Sequence, residues 1–136
     1  SILQSWGGTI NLKLTDFGAE LSTPSTVQND GEYDAFIAQI PTHRIQMRQP
    51  APDNDDPMLK RPPVDFENQM LLVVRSRSIH EFPEITEVLD TPAEREVIYT
   101  IPAVENLEMM AQPGGVGRYA AVLVARKDGK VRYTRR

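Results

Sequence analysis

At 136 residues, with 40% apolar and 25% charged residues, the chain fits one domain that buries about two-thirds of its unfolded surface. That composition indicates neither a disordered segment nor a fibre. Cysteine is absent, which excludes disulfides, thiolate zinc sites and thiol catalysis and leaves the compartment open. The formal net charge of −4, from 15 basic and 19 acidic residues, argues against nucleic acid as the main partner.

No apolar run approaches the about 18 residues of a spanning helix, so no membrane span is expected. The chain starts at Ser1 without Met, which points to removal of something upstream; a signal peptide there would mean export. Eleven prolines and eight glycines suit strands and turns better than a compact helical protein.

Thr9-Ile10-Asn11-Leu12-Lys13-Leu14-Thr15 alternates, with Ile10, Leu12 and Leu14 on one face. It predicts a half-buried strand opened by Gly7-Gly8 and closed near Gly18. Thr26-Val27 reads as a short strand. Asn29-Asp30-Gly31-Glu32 has the spacing of a capping box, with Asn29 as N-cap and Glu32 reaching back to its N–H. Tyr33, Phe36, Ile37 and Ile40 follow at helical spacing, and Pro41 stops the helix. So short a helix must be held by packing on a sheet.

Residues 48–63 hold five of the eleven prolines together with Asp53, Asn54, Asp55 and Asp56. They predict a long exposed loop, of the kind that is often functional. The consecutive apolar run from Met70 to Val74 predicts a central strand buried on both faces. Ile85–Leu89 and Val97–Ile101 are two further strands around the Asp90-Thr91-Pro92 turn. Val104–Met110 is open between strand and loop, and Pro113-Gly114-Gly115-Val116-Gly117 reads as a connector. Tyr119–Ala125 and Val131–Thr134 flank Asp128-Gly129, a strong hairpin signal because both turn residues must tolerate positive φ. The expected fold is a single β-rich domain over 1–136, mainly β (α+β). Its strands, six or seven in number, should form an antiparallel sheet, a sandwich or a partly open barrel, with one short packed helix.

The chemistry-bearing residues are sparse. With only His43 and His80 as histidines and no cysteine, neither a metal site nor a cofactor is expected. Asp53-Asn54-Asp55-Asp56 lacks the glycine and distal glutamate of a calcium loop, Met58 standing where glycine is needed, and reads as a solvated acidic loop. Pro113–Gly117 lacks the Lys-Ser/Thr ending of a phosphate loop. Ser5, Ser22, Ser25, Ser76 and Ser78 sit in no nucleophile elbow. Asp65 reads as a turn carboxylate taking backbone N–H bonds, not as a catalytic acid. Arg75-Ser76-Arg77-Ser78 with His80 reads as a polar strand end meeting water, with an anion-binding rim as the competing reading. No catalytic residue is assigned, and no enzyme is expected.

At Pro62-Pro63-Val64-Asp65-Phe66 followed by Met70-Leu71-Leu72-Val73-Val74, the chain resembles the PrcB-like (protease stability complex) domain family. Thr26-Val27 and Glu32-Tyr33-Asp34-Ala35-Phe36 look like its upstream strand and helix. Pro113-Gly114 and Arg118–Val124 look like its late Pro-Gly and closing strand. The likeness spans roughly residues 22–126. It departs from the family at Arg75–Glu84, which has no glycine where the family usually turns through Thr-Gly-Gly-Tyr. The resemblance implies an exported bacterial accessory domain, periplasmic or secreted, that associates with another protein, such as a protease.

The leading expectation is therefore a non-enzymatic extracytoplasmic protein-interaction or stabilising domain. Its candidate partner-contact residues are Arg75, Arg77, His80, Phe82, Arg126, Lys127 and Arg132, from the 75–84 segment and the C-terminal hairpin, with the 48–61 loop as a third contact element. From Arg118 onward seven basic residues face one acid, Asp128, which reads as edge-strand charge or as a basic contact surface. Asp65, Phe66, Tyr33 and Phe36 are candidate structural anchors. The alternative is a small-ligand or glycan-binding β-domain using Trp6, Tyr119 and Tyr133 for stacking.

Overall fold

The computed structural model describes residues 2–12, 25–43, 53–102 and 115–136. In chain order these form β1 (Gln4–Asn11), β2 (Ser25–Val27), α1 (Asp30–Ile37), a 3-10 turn (Pro57–Lys60), β3 (Gln69–Arg75), β4 (Glu84–Asp90), β5 (Glu94–Thr100), β6 (Val116–Ala125) and β7 (Lys130–Arg135). Two sheets result, one of order β1-β6-β3-β2 and one of order β4-β5-β7. Of the mainly-β arrangements expected, a single antiparallel sheet, a sandwich or a partly open barrel with one short helix, the sandwich is the one observed. The β1–β6, β3–β6, β2–β3 and β4–β5 ladders are antiparallel, whereas β5 and β7 run parallel. The segment Val104–Met110, Leu14 and residues 48–52 of the long loop lie outside the described residues.

The central strands explain the consecutive apolar run. Met70, Leu71, Leu72, Val73 and Val74 are all fully buried because β3 sits between β6 and β2 in its sheet and between two cores across it. Leu71, Val73, Ala121, Leu123, Ile10 and Val27 face Tyr33, Phe36 and Met58 in the first core. Met70, Leu72, Val74, Val122 and Val124 face Ile85, Val97 and Tyr99 of the second sheet in the other. Each such side chain contributes about 1.5–3 kcal/mol by leaving water.

The helix starts where its cap predicts but ends at Ile37, short of the expected stop at Ile40 before Pro41. Asn29 Oδ1 accepts the Glu32 N–H at 2.8 Å. Glu32 Oε1 accepts the N–H of Gln28, one residue earlier than the expected Asn29. Phe36 meets Tyr119 edge-on at 5.1 Å and Tyr33 meets Phe66 at 5.7 Å, so aromatic packing holds the short helix on β6 and on the turn before β3. The Tyr33 hydroxyl donates to Pro62 O at 2.6 Å. Asp65 holds the turn before β3: its Oδ1 accepts the Glu67 N–H at 3.1 Å and its Oδ2 the Asn68 side-chain amide at 2.8 Å.

Three expectations need correction. Asp128-Gly129 does not close a hairpin, since β6 and β7 lie in different sheets. The reversal is real, with Gly129 at φ 109°, but β6 is already bonded on both sides by β1 and β3 and has no free edge to offer. The Arg126 guanidinium, donating to Phe66 O at 2.7 Å and Gln28 O at 3.1 Å, holds the chain where it leaves one sheet for the other. Gly7-Gly8 lies inside β1 instead of opening it. Likewise Val116 and Gly117 belong to β6, so the predicted connector ends by Gly115.

Arg95 joins the sheets in a way the alternation of β5 does not announce. Although only 3% exposed, its guanidinium donates to both Asp90 carboxylate oxygens, at 2.6 and 3.1 Å, and to Ala125 O of the other sheet at 2.7 Å. Those bonds hold the Asp90 carboxyl below its usual range.

Candidate functional site

A sheet with open edges must guard them against unwanted pairing. Among the described residues the edges are β1, β2, β4 and β7, and three carry a recognisable guard. The β2 strand is three residues long. Glu84, Glu87 and Asp90 charge β4, which also has a register shift between Ile85 and Glu87. Lys130, Arg132 and Arg135 charge β7. The fourth edge, β1, reads Gln-Ser-Trp-Gly-Gly-Thr-Ile-Asn: eight residues with no charge and no proline.

The register shows which backbone groups of β1 point outward. Gly8 lies opposite Tyr119 and Ile10 opposite Gly117, and the Leu12 N–H donates to Gly115 O at 2.7 Å. Bonding alternates along an antiparallel pair, so Trp6, Gly8, Ile10 and Leu12 bond towards β6 while Ser5, Gly7, Thr9 and Asn11 present their groups outward. The Asn11 N–H accordingly leaves the sheet and donates to Gln39 O at 2.7 Å. Beyond that bond the outer rim passes into a cleft of about 570 Å³ floored by Gly7, Gly8 and Thr9.

One wall of the cleft is Asn54–Pro57. The predicted solvated acidic loop is, at this end, built into the fold. Asp56 is only 8% exposed, and its carboxylate accepts the Tyr119 hydroxyl at 2.7 and 3.0 Å and the Met58 N–H at 2.9 Å. Asn54 donates to Pro41 O at 2.8 Å and accepts the Asp56 N–H at 3.1 Å. Gly8 permits this approach, because a Cβ there would stand 2.4 Å from Asp56 Oδ2. Burial, reinforced by the neighbouring Asp56 carboxylate, pushes the Tyr119 hydroxyl far above the usual tyrosine range, so it serves as a donor and not as a base.

The other wall is Ile79 with Arg118. Ser76 is buried, and its hydroxyl shares its proton between Ser78 O at 2.9 Å and Glu81 O at 2.8 Å while accepting the Arg118 N–H at 3.0 Å. This curls residues 76–82 over the end of β6. Arg118 Nε donates to Ile79 O, and the guanidinium lies 4.5 Å above the Phe82 ring. Burial lowers the Arg118 pKa.

The predicted contact residues scatter around this geometry. Phe82, 41% exposed, stands beside the cleft through its stacking on Arg118. His80 is half-buried, its N–H on Ser78 Oγ at 3.1 Å. Arg75 is tied to Gln39 Oε1 at 2.9 and 3.2 Å and lies 5.8 Å from the Phe36 ring centre. With Arg77, Ser76, Glu81, Ile101 and Arg135 it lines a separate pocket of about 290 Å³. Arg126 is spent on the carbonyls of the sheet crossover and on Asp128 at 3.3 Å. Arg132 pairs with Glu94 and Glu96 at 3.2 and 3.3 Å, and Lys127 is half-buried nearby in sequence. Arg126 and Arg132 are thus both engaged within the chain.

The stacking set of the glycan reading also comes apart. Tyr119 is 1% exposed in the core, the Tyr133 hydroxyl bonds Thr26 Oγ1 at 2.9 Å, and Trp6 packs partly against the first core. Among the described residues no group of His, Asp or Glu is arranged to hold a metal ion, and no helix is long and apolar enough to cross a membrane.

Sequence reasoning missed the floor of the cleft, Gly7–Thr9, and the inward role of Asp56. A signal for the first was present: no charged residue occurs before Lys13. Comparison with family models, with curated proteins and with solved structures found no match in any of the three. The likeness to the PrcB-like family rests on the residues quoted above.

Proposed function

We propose that this chain is a non-enzymatic protein-interaction or stabilising domain, an accessory to a larger protein such as a protease, that acts outside the cytoplasm. The observation that carries the interaction reading is the contrast among edges: among the described residues three are guarded and β1 is not. An uncharged eight-residue edge is a standing risk of aggregation unless something useful pairs with it. Asn54–Pro57 and Ile79, which belong to the two segments 48–61 and 75–84 expected from the sequence to touch a partner, contribute to the two walls beside it. The setting and the protease association are supported by the resemblance at Val64-Asp65-Phe66 and the following strand.

The test is co-purification of the tagged chain from its native cells after mild crosslinking. A stoichiometric protein partner is the expected result. Recovery of the chain alone at every crosslinker dose would refute the reading.

A further inference from the structure

We infer that the cleft beside Gly7–Thr9 clamps a single extended peptide segment of the partner, which adds to β1 as a fifth strand of its sheet. The inference rests on the interaction reading and specifies its chemistry. The outward N–H and C=O groups of Gly7 and Thr9 supply four backbone hydrogen bonds at the floor, and those of Ser5 extend the ladder by two. Two successive glycines leave the floor without side chains, so a strand can seat at the ordinary spacing of about 4.8 Å.

The walls choose the occupant. They rise on both faces of the sheet beside the same residues: Asn54–Pro57 on the face where Asp56 meets Gly8, and Ile79 with Arg118 on the opposite face, since Arg118 alternates with the inward Tyr119. A second copy of the chain pairing through β1 would bring its own two walls to the same place. A lone strand, one peptide thick, has nothing flanking it to collide.

The walls also differ in chemistry. The first is polar, built from Asn54 and Asp56, which are held on Pro41 O and the Tyr119 hydroxyl. The second presents Ile79 and the stem of Arg118, whose guanidinium is already taken by Ile79 O and the Phe82 ring. Side chains alternate faces along a strand, so the segment that fits is extended and carries a polar residue towards Asn54–Pro57 and an apolar residue towards Ile79.

Random octapeptide display against the whole chain provides the probe, with the enriched sequences then synthesised. The expected peptides alternate polar and apolar residues, and their binding shifts the amide signals of Ser5, Gly7 and Thr9. N-methylation at every second peptide position should abolish binding, and the complementary set should not. Gly7→Lys installs the missing guard; its Cβ would lie an acceptable 3.4 Å from Tyr119 O, so the variant folds, and binding falls on the order of tenfold or more.

Absence of enrichment, or peptides indifferent to alternate N-methylation or to Gly7→Lys, overturns the clamp. A concentration-dependent dimer abolished by Gly7→Lys overturns it too, because β1 then pairs with itself. A native partner still recovered stoichiometrically with the Gly7→Lys chain would refute the clamp alone and leave the interaction domain standing.

Discussion

Replacing Tyr119 by phenylalanine isolates the bond that fixes one wall of the cleft. The ring keeps its edge-on contact with Phe36 at 5.1 Å, and only the hydroxyl on the Asp56 carboxylate is lost. Asp56 then keeps its bond from the Met58 N–H but loses its strongest donor in a site it cannot leave without unpacking Met58, which is fully buried. Hydrogen bonds to a charged group are worth about 1.5–3 kcal/mol, so a loss of about 2 kcal/mol is expected. With an unfolding entropy of about 2.1 cal/mol/K per residue over 136 residues, that loss lowers the melting temperature by about 7 °C. Urea melts of wild type, Tyr119→Phe, Asp56→Ala and the double variant form the assay. The midpoint should fall with an unchanged slope, and the cycle should return a coupling of about 1–2 kcal/mol. A Tyr119→Phe effect below about 0.5 kcal/mol, with no coupling, would show that the carboxylate does not depend on this donor and that the wall is held by something else.

Two further outcomes follow from other contacts. A Cβ at Gly117 would stand 2.1 Å from Ser76 O, a backbone atom that cannot swing aside. Gly117→Ala should therefore cost about 3 kcal/mol or prevent folding, while Gly7→Ala stays near neutral by thermal melt; equal stabilities would disprove the close crossing of residues 76–82 over β6. Burial pushes the Tyr133 hydroxyl up to about 12, whereas an unfolded tyrosine ionises near about 10. The folded state holds the proton more tightly, so this contribution is complete below about pH 10 and is lost as the pH rises towards about 12. Melting temperatures between pH 8 and 12 should fall less steeply for Tyr133→Phe, and parallel curves would contradict the burial of that hydroxyl.

The legible parts of this fold are those where one residue's surroundings are dictated nearby in the chain. Asn29, Tyr33 and Phe36 announce a capped amphipathic helix, and it forms there, with Ile40 buried just past its end. The five apolar residues from Met70 announce burial on two faces, and β3 has it. What the chain conceals is partnership. Asp128-Gly129 specifies a sharp reversal but not which strand receives the returning chain; β6 had both neighbours already, so β7 joined β5 in parallel. Four polar residues from Asp53 look solvated because polarity alone cannot reveal that Tyr119, distant in sequence, offers Asp56 a hydroxyl. The cleft was hidden for the same reason. Uncharged β1 is visible in the sequence, but being an edge depends on which strands fail to pair with it, and the walls come from segments over 40 residues away.

Amide hydrogen exchange along β1 tests the open rim most directly. In the free protein the Gly7 and Thr9 amides should exchange far faster than those of Gly8 and Ile10, which bond to β6, and a bound partner should bring the two rows to similar protection. Gly7 and Thr9 amides as slow as Gly8 and Ile10 in the isolated chain would mean that the rim is already paired, and would contradict the account.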